Sequence, residues 1–168
     1  LDAVEEMKPV AVWQNGERVA ANGEMLEPSS TRAEVPARIL ESVNLPVMTE
    51  ADLAIPMSKT RANIIEVIPN QIVTKKLVAD VDVVDGQFVP SVEKDFLKIA
   101  VVERHHQKLT KGIAIVHGLG LQKGAVATTI AHDSHNAIVV GTNDADMLVA
   151  LEALQSMQGG LVVVADGE

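Results

Sequence analysis

His132 and His135 stand three positions apart, with Asp133 and Ser134 between them and Asn136 following, inside the run Ala131-His132-Asp133-Ser134-His135-Asn136-Ala137-Ile138-Val139-Val140-Gly141. Imidazole and carboxylate groups at this density can ligate a divalent ion, move a proton near neutral pH or hydrogen-bond the edge of a heterocycle. Folding seldom requires such a cluster. On a strand, side chains at i and i+3 point to opposite faces, whereas a turn lets them converge. Polar and turn-forming neighbours between two apolar segments predict a loop here. The competing reading is a surface turn in which Asp133 and Ser134 satisfy backbone amides and both imidazoles face solvent.

A second polar group, Glu103-Arg104-His105-His106, ends the apolar run Leu97 to Val102, a position from which side chains can enter a cleft. Its plain alternative is solvated charge of small energetic value. Other short patterns carry less. His117-Gly118-Leu119-Gly120 with Gly124 does not open a helix, so it is no phosphate cradle. Ser134 adjoins His135, but no Gly-x-Ser-x-Gly elbow presents it as a nucleophile.

The elements that must position these residues are mostly short strands. Val10 to Val12, Asn15-Gly16, Arg18 to Ala20 and Asn22-Gly23 read as a hairpin, which needs a larger sheet to cover its apolar face. Glu27 to Pro56 is turn- and proline-rich, with a short helix around Ala37 to Val43. Beyond Ala62, strands are expected at Ile64 to Ile68, Val78 to Val84, Gln87 to Val89, Leu97 to Val102, Gly112 to His117, Gly124 to Ala131, Ala137 to Val140 and Leu161 to Ala165. Asp85-Gly86 supplies a hairpin turn, and Asp166-Gly167 would start another whose second strand is missing. One helix stands out: Thr142 or Asn143 caps it, Met147, Leu148, Leu151 and Leu154 form its apolar face, and Gly159-Gly160 ends it. The sum is an α+β fold with a mixed or antiparallel sheet and few helices.

Composition narrows the function classes. The 168 residues are 47% hydrophobic yet hold one Trp, two Phe and no Tyr, so the core is aliphatic. A formal charge of −9 without a basic cluster argues against a nucleic-acid partner. No apolar run approaches the ~20 residues that span a bilayer, which excludes a membrane-crossing helix and points to a cytoplasmic protein. With no cysteine, any metal here would need His, Asp or Glu.

Two long stretches, Asp95-Phe96-Leu97-Lys98-Ile99-Ala100-Val101-Val102-Glu103-Arg104-His105 and Ala131 to Asn136, followed by Gly141-Thr142-Asn143-Asp144-Ala145-Asp146-Met147, resemble the C-terminal domain of the adenine deaminases in the amidohydrolase superfamily. The resemblance runs from about Ile64 to Glu168. It implies three parts: residues 1–27 as the tail of the small β-sandwich beside an amidohydrolase barrel, 28–60 as a linker or wrapping segment, and 61–168 as the C-terminal domain, truncated at its end. It also implies hydrolysis of adenine to hypoxanthine and ammonia by a metal-activated water, with Mn or Fe as the divalent metal of the intact enzyme. In the family the metal lies in a (β/α)8 barrel that is absent here, so no metal ligand is assigned within this chain and the fragment alone should be inactive.

On that reading His132, Asp133 and His135 are accessory catalytic residues. Glu103, Arg104, His105, Ser134 and Asn136 help form the adenine pocket at the barrel mouth. Adenine, the barrel of the same protein and further copies in a homo-oligomer are the expected partners. One departure bears on specificity: where the family commonly has a glycine-rich stretch, Gln107 to Gly112 is mostly non-glycine, which leaves the choice of aminopurine open. The alternative is a purely structural or oligomerisation domain, since an aliphatic domain with exposed strand edges needs partners. An independent His/Asp metalloenzyme lacks a second ligand cluster.

Overall fold

The computed structural model describes residues 9–26 and 34–168. The chain divides into two compact units with the boundary between Pro36 and Ala37. In the first, β1 (Ala11–Gln14), β2 (Glu17–Ala21) and β3 (Glu24–Met25) form a three-stranded antiparallel sheet. The Asn15-Gly16 and Asn22-Gly23 turns place both residues of each pair at positive φ, the conformation that Asn-Gly hairpin turns demand.

The second unit is α+β. It begins with α1 (Ala37–Leu40) and a 3-10 turn at Glu50–Leu53. Its seven-stranded sheet has the order β12-β10-β11-β8-β9-β4-β5. The strands are β4 (Arg61–Val67), β5 (Thr74–Asp80), β8 (Leu97–Val102), β9 (Lys111–His117), β10 (Ala125–Thr128), β11 (Ala137–Gly141) and β12 (Leu161–Val164). All pairings are antiparallel except β4 with β9, so the sheet is mixed. The Asp85-Gly86 turn joins a separate two-stranded ribbon, β6 (Val83–Val84) and β7 (Gln87–Phe88).

One face of the sheet is covered in two parts. Over β10, β11 and β12 lies α2 (Asp144–Ser156), whose Met147, Ala150, Leu151 and Leu154 are buried against Ala100, Val102, Ala125, Ala127, Ala137, Val139 and Val164. The alanines beneath the helix keep its axis close to the sheet. Over β4 and β9, Val81, Phe88 and Phe96 pack on Ala62, Ile64 and Ile115. Gly124 opens β10 in the left-handed region, and a Cβ there would lie 1.9 Å from the Val164 carbonyl oxygen, so only glycine lets β12 close beside β10.

The helix N-terminus is fixed by polar contacts. Asn143 accepts from the Asp146 amide at 2.8 Å, as an N-cap should. Asp146 accepts from the Asn143 side-chain amide and from the Gly167 amide, and these two bonds hold its carboxyl below the usual range despite burial. Lys98, buried beneath the first turn, meets Asp144 at 2.5 Å. Just before the same end of β8, both carboxylate oxygens of Asp95 accept backbone amides, from Gly118 at 2.8 Å and Gly120 at 3.0 Å. The His-Gly-Leu-Gly segment is thus a clipped turn.

Three expectations from the sequence need correction. The strand placed at Val78 to Val84 starts at Thr74 and ends at Asp80, where Val81 turns inward and its amide bonds to Thr60. The strand placed at Gly124 to Ala131 ends at Thr128, whose hydroxyl donates to the Gly160 carbonyl and accepts the Ile130 amide, turning the chain. The helix placed at Ala37 to Val43 ends at Leu40, because Val43 is drawn into the core under α2.

Candidate functional site

Val102, the last residue of β8, pairs with Ala137, the first of β11. The segments 103–110 and 129–136 therefore leave the sheet from adjacent points at one end. This register brings together two polar groups that are about thirty residues apart in sequence.

Arg104 joins them. Its Nε donates to the His135 carbonyl, and its Nη1 donates to the Ser42 carbonyl at 2.9 Å and the Ser42 hydroxyl at 3.4 Å. The His105 ring lies beside the same loop, with Nε2 3.0 Å from the Ser134 carbonyl oxygen. A carbonyl can only accept, so this nitrogen carries the proton. Arg104 and His105 thus both contact the backbone of the 129–136 loop.

Glu103 organises its own turn. Its carboxylate accepts the His105 amide at 2.7 Å, the His106 amide at 3.2 Å and the His106 Nδ1 proton at 3.0 Å. Partial burial pushes the carboxyl pKa up, but these three donors outweigh it and hold the group below its ordinary value. A lowered carboxylate pKa stabilises the folded turn above the unfolded-state pKa, and this contribution is lost as pH falls through the folded value. The Glu103 carboxyl-carbon resonance should therefore titrate below the ordinary glutamate range, and Glu103→Ala should speed amide exchange at His105 and His106 at neutral pH. Unchanged exchange in that variant would show that the carboxylate does not hold the turn.

The 129–136 loop is a tight turn. The His135 amide bonds to the Ala131 carbonyl at 2.8 Å and the Ser134 amide to that of His132 at 3.1 Å. Asp133 and His135 take positive φ of 70° and 49°. His132 Nδ1 lies 2.9 Å from Asp133 Oδ1, but both side chains are over 90% or at 90% exposed, so the pair adds little stability. Ser134 and His135 are exposed as well. The Asn136 Oδ1 atom is buried without a hydrogen-bond partner, the single such side-chain atom among the described residues. An acceptor left that way costs stability unless a donor reaches it.

Among the described residues no three His, Asp or Glu side chains converge as a metal-holding group. The described residues therefore do not form a site that fits the divalent metal implied by the resemblance.

A strap missed by the sequence pattern buttresses the loops. The Asn44 amide bonds to the Arg104 carbonyl and the Gln107 amide to that of Asn44. On its other side, Gln158 accepts the Val43 amide at 3.1 Å and donates to the Val43 carbonyl at 3.2 Å, while Gln155 accepts the Leu45 amide at 2.6 Å. Nothing in the local sequence around Ser42 to Leu45 signals these partners. A mostly apolar cleft of about 230 Å³ lies between Leu45 to Met48 and the Leu148, Leu151, Glu152, Gln155 and Ser156 side of α2, and it contains none of the expected site residues.

Comparison with known proteins identifies the family. Residues 71–168 match the family described as adenine deaminase C-terminal domain. The chain is similar to the adenine deaminase of Lysinibacillus sphaericus strain C3-41, 59% identical over 100% of this chain and 29% of the relative. It is also 46% identical to the adenine deaminase of Halalkalibacterium halodurans and 45% identical to adenine deaminase 2 of Carboxydothermus hydrogenoformans, each over 98% of this chain and 29% of the relative. Among the described residues no helix is long and apolar enough to cross a membrane. The chain spans under a third of the length of these relatives, and it belongs to the adenine deaminase C-terminal domain family.

Proposed function

We propose that this chain is the C-terminal part of an enzyme that hydrolyses adenine to hypoxanthine and ammonia, and that its paired loops close the adenine pocket over a catalytic centre in the rest of the polypeptide. The observation that carries this reading is the fastening of the 129–136 loop through its backbone. Arg104 and His105 grip the His135 and Ser134 carbonyls, which leaves the side chains of His132, Asp133 and His135 outward in a fixed frame. Adenine presents an exocyclic amine donor and ring-nitrogen acceptors. The unsatisfied Asn136 Oδ1 lies at the base of the same turn, and an asparagine amide that the turn opens to adenine can pair with its amine and the adjacent ring nitrogen along one edge, which discriminates against other bases.

His132 and His135 then serve as proton carriers near the departing amine, with Asp133 holding the His132 ring. The metal and the attacking water belong to the remainder of the enzyme. Closing a pocket from a second domain also expels water, which strengthens every polar interaction inside it.

The test uses the full-length deaminase. Asn136→Ala and His135→Ala are each expected to lower kcat/KM by about 10- to 1,000-fold, with Asn136→Ala also eroding preference for adenine over other aminopurines. Turnover equal to wild type in both variants would leave the domain a structural or oligomerisation element.

A further inference from the structure

Over β8, β9, β10, β11 and β12 the sheet face opposite α2 is apolar, whereas its β4 and β5 part carries Arg61, Asn63, Lys76 and Asp80. Cross-strand partners in an antiparallel sheet share a face, so the register lays one row across five strands: Ala114, Ile99, Val140, Val126 and Val163. A second row holds Gly112, Val101, Ile138, Thr128 and Leu161. Neither row contains a charged residue. The hydroxyl of Thr128 is satisfied by the Gly160 carbonyl. Val163 and Leu161, at the edge strand, are 65% and 60% exposed, and none of these side chains belongs to either core cluster except as backbone neighbours of it.

We infer that this open face is the surface on which the domain docks against the catalytic part of its own polypeptide. The inference rests on the reading of the chain as the C-terminal part of a longer deaminase. Two facts select that occupant over a second copy. The relatives carry roughly 70% of their length outside the matched region, so a large part of the protein must meet this domain somewhere. Area decides the rest. Strands ~4.8 Å apart and rows ~7 Å apart give the two rows roughly 300 Å² per side, or about 600 Å² in total. Interfaces between domains of one chain bury about 600–1,500 Å², whereas stable associations of separate proteins bury about 1,200–2,000 Å². The patch suffices for a tethered neighbour and falls short for a dimer built on it alone.

Single cysteines test this directly, since the chain contains none. Val163→Cys and Ile138→Cys keep small, apolar side chains on the face, and two positions guard against misfolding of one. Each is placed in this chain and in a polypeptide of the relatives' full length that carries it, and maleimide labelling of the tryptic peptide is followed by mass spectrometry under native conditions. Labelling at least 100-fold slower in the long polypeptide, with fast labelling of this chain at every protein concentration, is the expected result. Fast labelling in both overturns the inference. So does slow labelling of this chain alone: if it depends on concentration a second copy covers the face, and if it does not the first unit of the chain covers it. The readout needs no turnover, so it fails independently of the adenine-pocket reading.

Discussion

Asp144→Ala is expected to lower the melting temperature of this chain by roughly 6–16 °C. Lys98 is 3% exposed and faces Asp144 at 2.5 Å beneath the first turn of α2. Removing one partner of a buried pair strands the other charge and costs about 3–5 kcal/mol. Asp144 itself is about a quarter exposed, so water can reach Lys98 in part, and the lower end applies. For a domain of this size each kcal/mol is worth about 2–4 °C, so about 3 kcal/mol corresponds to roughly 6–12 °C. Losing the carboxylate at the positive end of the helix adds up to ~1 kcal/mol. The paired variant separates these effects. Lys98→Met with Asp144→Ala removes both charges and should recover most of the loss, because apolar replacements of buried ion pairs are often neutral. A double variant as unstable as Asp144→Ala alone would mean that the helix terminus, not the stranded lysine, was responsible. Thermal unfolding by circular dichroism reads both.

Arg104→Ala is the substitution expected to damage function most without touching substrate. It releases the His135 carbonyl, the Ser42 carbonyl and the Ser42 hydroxyl at once. These groups are partly solvated, so the stability loss should be about 1–3 kcal/mol. In the full-length deaminase kcat/KM should fall by about 100-fold, since misplacing a positioned group by about 1 Å costs that much. Arg104→Lys is expected to recover stability more than activity, because a single ammonium cannot hold a planar fork of carbonyls in two directions. A stability loss with kcat/KM unchanged would place the loop away from the reacting base.

The strand marked most plainly in the sequence is the one that is apolar on nearly every position of both faces. Leu97 to Val102 is central, flanked by β9 and β11, and its near-continuous apolar run marks it without ambiguity. The edge strand β5 was placed four residues late because Thr74, Lys75 and Lys76 carry no hydrophobic signal, and polar residues are what an edge requires. The helix was legible through its Asn143 cap and its 147, 151, 154 spacing. At the site, the residue types pointed to the two loops, and the pairing of Val102 with Ala137 makes them neighbours. What stayed hidden was the use of Arg104. Its acceptors are main-chain carbonyls, which every residue has, so no sequence pattern can single out Ser42 and His135. Gln155 and Gln158 were hidden for the same reason.

The strap Ser42 to Leu45 is gripped by glutamine side-chain amides on one flank and by backbone and guanidinium bonds of the Arg104 turn on the other, so it behaves as a strand whose ladder is partly made of side chains. A force applied to the chain near Pro36 would load these bonds before it reached the sheet. The strap is thus a mechanical fuse. Any motion that pulled on it would slacken the His132 to Asn136 turn while α2 and the core beneath it remained intact.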